Sequence, residues 1–426
     1  MGAALRGRSV LLATEQQLDT AIALMDLDGL ARRIVLCTPD LTAPQLDAVA
    51  CAAASDVSIE SGSMLRRVRS VSDRYAMAPT LHAGNARRGG VETEWVLLTS
   101  GTSGTPKLVV HSLQTLAGPI PRRVGPPAPV VWSTFYDIRR YGGLQIFLRA
   151  VFGGVPLVLS DCKESPGEFL ERAARARVTH ISGTPSHWRR ALMSDAGRRF
   201  SPEYIRLSGE VADQPLLDSL RAAFPRARIV HAFASTEAGV AFDVEDGQAG
   251  FPAAFIDGGV AARPAGIELR VSNGSLHVRS SRNAVRYLGG ESPALAGHDG
   301  FVDTGDLVEL VDGRYYFRGR RGGIINVGGQ KVCPEEVESV LNADPRVRMS
   351  LVRGRRNAIT GAIVVAEVVP VDGVAGWDDP AVGARIVEDL LSACRRALPA
   401  HKIPATLRLV PALEFTAGGK LVRPGA

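Results

Sequence analysis

The chain has 426 residues, 45% hydrophobic and 22% charged, with a formal net charge of +6. That length predicts about two or three domains, and the apolar share excludes disorder as the main state, because burial offsets chain entropy. The positive charge comes without a nucleic-acid reader motif or interleaved basic and aromatic residues. It therefore reads as solvated helix faces, or as attraction of a polyanionic substrate such as a nucleotide, rather than nucleic-acid binding.

The N-terminal apolar stretch breaks after five residues (MGAALRGRSVLLATEQQLD), a poor signal peptide that also lacks a myristoylation signal. Residues Ser9–Ala13 read as a buried strand, Leu18, Ile22, Met25 and Gly29 recur at helical spacing, and Arg33–Cys37 reads as a second strand. Strand, helix, strand in so few residues predicts a βαβ unit and a parallel sheet. Further apolar stretches at Val96–Thr99, Val155–Leu159, Ile205–Leu207 and Arg228–His231, with a helix over Pro166–Ala176, continue an α/β architecture to about residue 245.

From Ala261 the texture changes to short β segments: Ile267–Val271, Leu276–Val278, Leu307–Leu310 and Tyr315–Arg318. Asp312-Gly313 between the last two is the two-residue turn of a type I′ hairpin. Arg318–Gly323 is basic and Gly-rich and reads as a linker or hinge. Beyond it Pro334 opens a helix over Glu335–Leu341, Ile363–Val369 reads as a strand, and Val382, Ile386, Leu390, Cys394 and Leu398 mark one helix face. The expected organisation is a large N-terminal domain, residues 1–320, with mixed parallel sheets, helices and a β subdomain. A small mobile α+β C-terminal domain, residues 321–426, follows. No apolar run reaches the ~18 residues of a membrane span. The five cysteines are scattered without metal-ligand spacing, so no disulfide framework or zinc site is implied, and a reducing, cytoplasmic setting is expected.

The stretch most informative for chemistry is Leu97–Val110, LLTSGTSGTPKLVV. An apolar strand runs into Thr99, Ser100, Gly101, Thr102, Ser103, Gly104, Thr105 and then Lys107. Small residues let backbone N–H groups converge and hydroxyls add donors, which together make an anion nest for a polyphosphate. Neither the Walker A spacing nor the dinucleotide fingerprint is present.

This stretch resembles the phosphate loop of the adenylate-forming superfamily of acyl-CoA synthetases, peptide-synthetase adenylation domains and beetle luciferases. The other motifs follow in order: Ser208–Val211 (SGEV), His231–Gly239 (HAFASTEAG), Asp303–Asp306 (DTGD), Tyr316–Glu338 (YFRGRRGGIINVGGQKVCPEEVE) and Thr416–Arg423 (TAGGKLVR). The resemblance covers about residues 95–426. It implies ATP-dependent activation of a small carboxylic acid to an acyl-adenylate, then transfer to the thiol of coenzyme A, making the chain an AMP-forming ligase. The phosphopantetheine thiol of a carrier protein is the alternative acceptor. A nucleotide-binding relative that no longer turns over is a third reading.

By resemblance, Glu237 holds Mg2+, Thr236 donates to the α-phosphate, and Lys420 bridges the substrate carboxylate and that phosphate. Ser208, Gly209, Glu210, Val211, Phe233, Ala234 and Ser235 hold the adenine side, with Phe233 stacked on the base. Asp306 takes the ribose hydroxyls and Arg320 adds a ribose or phosphate contact. Tyr136, Arg140, Tyr141, Gly143, His231, Ala232 and Gly239 fall at the acyl pocket. Gly328, Gly329, Gln330 and Lys331 fall at the pantetheine arm, and Arg321 and Gly322 at the hinge. Taken alone, Phe233 could be core, Asp306 a turn residue, Glu237 a solvated acid, and Lys420 a tail residue; only their joint order argues otherwise.

The chain also departs from the family pattern. The phosphate loop comes early, so residues 1–94 are expected to form a trimmed sheet-and-helix subdomain. Gly322 stands where an acid or Lys is usual, Phe233-Ala234 where Tyr-Gly is usual, Leu108 where Gly is common, and Asn326 where Lys is frequent. Arg140 argues against an ordinary α-amino acid, because like charges would face each other. It suits an acid with its own polar or anionic group, unless it points to solvent.

Overall fold

The computed structural model describes residues 5–60, 67–70, 76–77, 91–99, 106–118, 120, 129–161, 164–194, 196–258, 265–289, 294–358, 360–371, 374, 376–416 and 420–422. Strand β1 (Ser9–Ala13), helix α1 (Gln17–Leu27) and strand β2 (Arg33–Leu36) form the expected βαβ unit, with β1 and β2 parallel in register Ser9↔Arg33. Strand β3 (Glu94–Thr99) extends the sheet in parallel beside β2, and β4 (Lys107–His111) returns antiparallel with Thr99 opposite Lys107. These strands belong to an eight-stranded sheet whose edge beside β4 is Arg286–Leu288.

The face of α1 differs from the expected stripe. Leu18 and Met25 are 61% and 57% exposed, whereas Ala21, Ala23, Leu24 and Leu27 are buried. Both sets recur at helical spacing. The sheet takes the face with alanines, because small side chains let a helix axis come closer to the strands.

A second, six-stranded sheet is built around helix α2 (Tyr141–Gly153) in the chain order, with strand Trp132–Thr134 before it and five strands after it; Tyr141, Leu144 and Phe147 of α2 pack into the core of the first sheet. Helix α3 (Pro185–Leu192) is followed by the parallel strands β5 (Tyr204–Ser208) and β6 (Arg228–Ser235) and by antiparallel β7 (Gly239–Val244). Local sequence rules set the helix starts here. Thr184 caps α3 by accepting from the His187 backbone, with Pro185 next in line.

A five-stranded sheet follows, containing β8 (Val302–Val311) and β9 (Arg314–Arg320). The Asp312-Gly313 turn has φ of 47° and 78°, as a type I′ hairpin requires. The linker is shorter than the sequence suggested. β9 keeps pairing through Arg320 opposite Asp306, and only Arg321–Gly323 leave as a 3-10 turn. Gly319, at φ 112°, lets the strand continue past the register shift that begins at Leu307.

The smaller C-terminal domain has its own sheet and core. Helices α4 (Pro334–Asn342) and α5 (Pro380–Ala397) bury Val337, Leu341, Ile386, Leu390 and Cys394 with Val352 and Val364. The first residue of the expected α5 stripe, Val382, stays 38% exposed, one turn outside the core. Among the described residues no helix is long and apolar enough to cross a membrane. Cys37, Cys51, Cys333 and Cys394 are free thiols, as expected, and Cys162 lies outside the described residues.

Candidate active site

Thr99 and Lys107 face each other as the last and first residues of β3 and β4, so the connecting loop leaves the sheet from one end. Ser100, Gly101, Thr102, Ser103, Gly104 and Thr105 lie outside the described residues. The Lys107 ammonium sits 5.5 Å from the ring centre of Tyr287, whose hydroxyl is 3.4 Å from Glu237 Oε1. Burial, reinforced by the Glu237 charge, pushes the Tyr287 phenol up to about 12, so it stays a proton donor. Tyr287 was missed in the sequence. It lies 50 residues past Glu237, and only strand pairing of Tyr287 with Val109 brings it back to Lys107.

Thr236 and Glu237 form the turn between β6 and β7. Three backbone ties fix them. His111 Nε2–H donates to the Thr236 carbonyl at 2.7 Å, Ala284 N–H donates to the Glu237 carbonyl at 2.8 Å, and Ser235 Oγ accepts from Ala238 N–H at 3.0 Å. His111 is buried, and desolvation lowers its pKa from 6.5 to about 4, opposed in part by the Thr236 hydrogen bond. The fold thus favours the neutral ring. Its contribution to stability is complete above the ordinary histidine pKa and is lost as pH falls from about 6.5 towards about 4. The melting temperature should fall across that window, and His111→Gln should flatten the fall. An unchanged profile in the variant would rule out the assignment.

The SGEV segment is held from below. The buried Tyr136 hydroxyl donates to the Ser208 carbonyl at 2.5 Å, so Tyr136 supports the nucleotide segment. Glu210 Oε2 accepts from Ser186 N–H at 2.9 Å in the first turn of α3, where a negative charge suits the helix dipole. Gly209 has φ 86°, and a Cβ there would lie 3.4 Å from Cε and 3.6 Å from Nζ of Lys420. Val211 is exposed beside it. Asp306 and Arg320 meet across the β8–β9 pair, Nε to Oδ1 at 3.0 Å and the second guanidinium nitrogen to Oδ2 at 3.5 Å.

Lys420 keeps solvent access, yet the protein atoms packed around the cleft lower its pKa from the ordinary lysine value. Arg320 and Arg140 add to that shift; Glu210 and Asp306 oppose it. Residues more than 200 positions apart in the chain therefore share one electrostatic site.

The lysine segment is docked by two side chains from opposite domains. Phe415 packs against Met349, Leu351 and Leu413 of the small domain, and the Arg190 guanidinium of α3 covers it 4.7 Å from the ring centre. Nearby, Asn342 Nδ2 of α4 lies 3.4 Å from Asp213 Oδ2 of the large domain. A stacked guanidinium of this kind is worth up to about 2 kcal/mol. Arg190→Met should lower acid-dependent ATP–pyrophosphate exchange by about 3- to 10-fold and spare thioester formation from supplied acyl-adenylate. An equal loss in both steps would overturn this positioning role.

Other expected site residues fall elsewhere. Phe233 is half-buried: its ring lies near-parallel to Phe317 at 5.1 Å and Phe242 at 5.6 Å, packed against the aromatic core of the third sheet. Strand alternation then puts His231 on the Phe233 side of β6 and Ala232 on the other. His231 Nε2 meets the Gln248 carbonyl at 2.9 Å, beside Asp246 and Arg314, and Ala232 is buried. Ala234 packs against the first core.

Gly143 has no room to line a pocket, since a Cβ would meet the Ile138 amide at 2.8 Å. Gly239 abuts Arg282 in the same way. Arg140 is paired with Asp40 at 2.8 Å, although it stays close enough to Lys420 for its charge to be felt there. Tyr141 is buried at 5.6 Å from His111.

Gly328 and Gly329, at φ 58° and 85°, form the hairpin turn between Ile325–Val327 and Gln330–Val332, where the positive φ explains them. A Cβ at Gly329 would meet open space, and Gln330 and Lys331 are exposed. Arg321 is tied to Asp303 at 3.0 Å, and a Cβ at Gly322 would also be unobstructed. Among the described residues no three His, Cys, Asp or Glu side chains cluster as a complete metal site. A lone carboxylate such as Glu237 does suit Mg2+, which keeps waters and takes substrate phosphate oxygens as its other ligands.

Comparison with known proteins places both parts of the chain in one family. Residues 16–287 match the AMP-binding enzyme family and residues 336–420 match the AMP-binding enzyme C-terminal domain. The chain is 29% identical over 361 residues to isonitrile lipopeptide synthase of Streptomyces coeruleorubidus, spanning 77% of this chain and 23% of that protein. It is 29% identical over 354 residues to 2-succinylbenzoate–CoA ligase of Geobacillus kaustophilus, spanning 78% of this chain and 68% of that one. The fold is shared with anthranilate CoA ligase AuaEII in complex with anthranoyl-AMP, at TM-score 0.78 and 19% identity over 99% of this chain and 87% of that chain. Matching both domains in their order along the sequence, the chain belongs to the AMP-binding enzyme family.

Proposed function

We propose that the chain is an ATP-dependent, AMP-forming carboxylate–thiol ligase that makes an acyl-CoA from a small carboxylic acid. The observation that carries this reading is the Lys420 ammonium against Gly209, beside Glu210, Asp306 and Arg320. The reaction joins a weakly nucleophilic carboxylate to the α-phosphorus of ATP and expels pyrophosphate. Negative charge grows on the phosphoryl oxygens, so fixed positive groups there lower the barrier.

In this assignment Lys420 orients the acid carboxylate against the phosphate, and the Thr236 hydroxyl donates to the same phosphate. Asp306 exchanges its hold on Arg320 for the ribose hydroxyls, leaving that guanidinium for the phosphate side. Glu237 would hold Mg2+, with Tyr287 fixing its second oxygen. Bound there, Mg2+ supplies charge neutralisation on the departing pyrophosphate. Thr99 and Lys107 anchor the two ends of the phosphate loop. The second step, thiol attack on the acyl-adenylate, needs Lys420 withdrawn, and the Arg321–Gly323 turn, with open space around Gly322 and Gly323, is the assigned pivot.

A carboxylic-acid panel scored by pyrophosphate release, with and without CoA, tests the reading. Acid-dependent release that rises with CoA is expected. ATP binding with no release from any acid would favour a nucleotide-binding protein instead. A holo carrier protein run as a parallel acceptor distinguishes the alternative thiol, since saturation by micromolar CoA excludes it.

A further inference from the structure

Near Tyr141 one carboxylate, Asp243, is bonded by Arg206 and lies within the electrostatic reach of Arg149 and Arg282. Ala232 of β6 pairs with Ser208 of β5 and with Asp243 of β7, so Arg206, two residues before Ser208, shares a sheet face with Asp243 and Ala232. Arg206 is buried and donates to Asp243 Oδ2 at 2.6 Å. Arg282 donates to the Val240 carbonyl at 2.9 Å, the same backbone group that Tyr141 approaches. Arg149, two turns beyond Tyr141 on α2, completes the group and feels Arg206, Asp243, Tyr204 and Arg282.

Among the described residues that act most strongly on Arg149, the charges do not balance: Arg206 and Arg282 stand with it, and Asp243 is the one carboxylate. Asp243 is committed to Arg206, and its other oxygen, Oδ1, is buried without a donor. Arg149 makes no hydrogen bond or ion pair among the described residues, although it is only partly exposed. Burial, and then the neighbouring Arg206, lower its pKa from the ordinary arginine value. A half-buried guanidinium with unused donors is costly unless an anion arrives to take them. Arg140, the residue the sequence suggested for an anionic substrate, is already paired with Asp40.

We propose that Arg149, backed by Arg206 and Arg282, receives a second anionic group on the acid being activated, in the first instance a distal carboxylate. The proposal rests on the ligase reading and names its substrate class: an acid that carries a second negative charge remote from the carboxylate being activated. A guanidinium binds a carboxylate through two parallel N–H···O bonds, which point charges on lysine do not reproduce. A charge-assisted pair of this kind is expected to favour the dianionic acid by about 10- to 100-fold.

The test compares matched acids, hexanoate against adipate and benzoate against phthalate and isophthalate, by kcat/KM for pyrophosphate release. The diacid should win by about tenfold or more in at least one pair, mainly through KM. Arg149→Met should collapse that ratio towards one, and Arg149→Lys should keep part of it. The ratio is internal to each variant, so it does not depend on how much of the variant is folded. No preference in the wild type, or the same preference in Arg149→Met, would overturn the proposal.

If no acid of either kind releases pyrophosphate, the ligase reading itself falls. The subsite is then judged by calorimetry with hexanoyl- and adipoyl-sulfamoyladenosine. Tighter binding of the adipoyl compound, lost in Arg149→Met, supports the subsite; equal binding overturns it.

Discussion

Replacing Lys420 with Ala is expected to lower acid-dependent ATP–pyrophosphate exchange by about 100- to 1000-fold, the usual loss when one preorganised donor to a developing anion is removed. Thioester formation from supplied acyl-adenylate should survive. The asymmetry follows from where the ammonium sits. It lies against Gly209 on a segment where Phe415 bridges Leu421 and Arg190 of the large domain covers Phe415. The lysine makes its contacts while charge builds on the α-phosphate in the first step, and in the assigned rotation it is withdrawn before the thiol displaces AMP.

Lys420→Arg should not restore activity. Cε already lies 3.4 Å from where a Cβ would stand at Gly209, and a planar guanidinium is wider than an ammonium. Exchange that persists in Lys420→Ala would remove the assigned role. A loss shared equally by both half-reactions would point to a folding defect instead.

The parts of the fold that could be read from the sequence are those fixed by local rules. β1 and β2 are apolar runs bounded by polar residues, Asp312-Gly313 demands positive φ twice, and Pro334 opens α4. What could not be read is decided by tertiary contact. Both faces of α1 recur at helical spacing, and the sheet chooses the alanine face. Arg318, Gly319 and Arg320 look like a linker by composition, but pairing with β8 keeps them in a strand.

The site divides in the same way. The motif order points to Lys420, Asp306, Glu237 and the SGEV segment, and the fold brings Lys420, Asp306 and SGEV together; Glu237 is reached by Tyr287 and is felt by Arg320. Resemblance by position misleads for His231, which strand alternation turns away from Ala232 towards Gln248. It misleads again for Gly143 and Gly239, whose missing side chains make room for neighbouring backbone. Tyr287 and Arg149 belong to no motif. Each gains its meaning from a partner brought near by sheet pairing or helix packing, which no local spacing encodes.

Gly239→Ala should be strongly disruptive, because it adds a backbone clash to a left-handed conformation. The residue has φ 71°, and its Cβ would stand 2.6 Å from the Arg282 carbonyl oxygen and 2.8 Å from the Arg282 Cβ. Backbone cannot step aside as a flexible side chain can. The left-handed conformation alone costs a non-glycine residue about 1–2 kcal/mol, and the clash adds overpacking of about 1–3 kcal/mol. Gly274→Ala provides the control: its φ is 75° but its Cβ would meet nothing within 4 Å, so it carries the conformational cost alone. Gly239→Ala should therefore melt several degrees below Gly274→Ala. The damage should also reach chemistry, because Gly239 follows Glu237 by two residues and Ala284, two residues past Arg282, donates to the Glu237 carbonyl at 2.8 Å. Pushing the 282–284 segment away releases that bond and moves the Glu237 carboxylate from Tyr287. Pyrophosphate exchange by the folded fraction of Gly239→Ala should fall about tenfold or more, since an ångström of misplacement at a reacting centre can cost more than that. Equal melting temperatures for the two alanine variants would show that the Arg282 backbone yields freely, and would sever the link between this turn and the carboxylate.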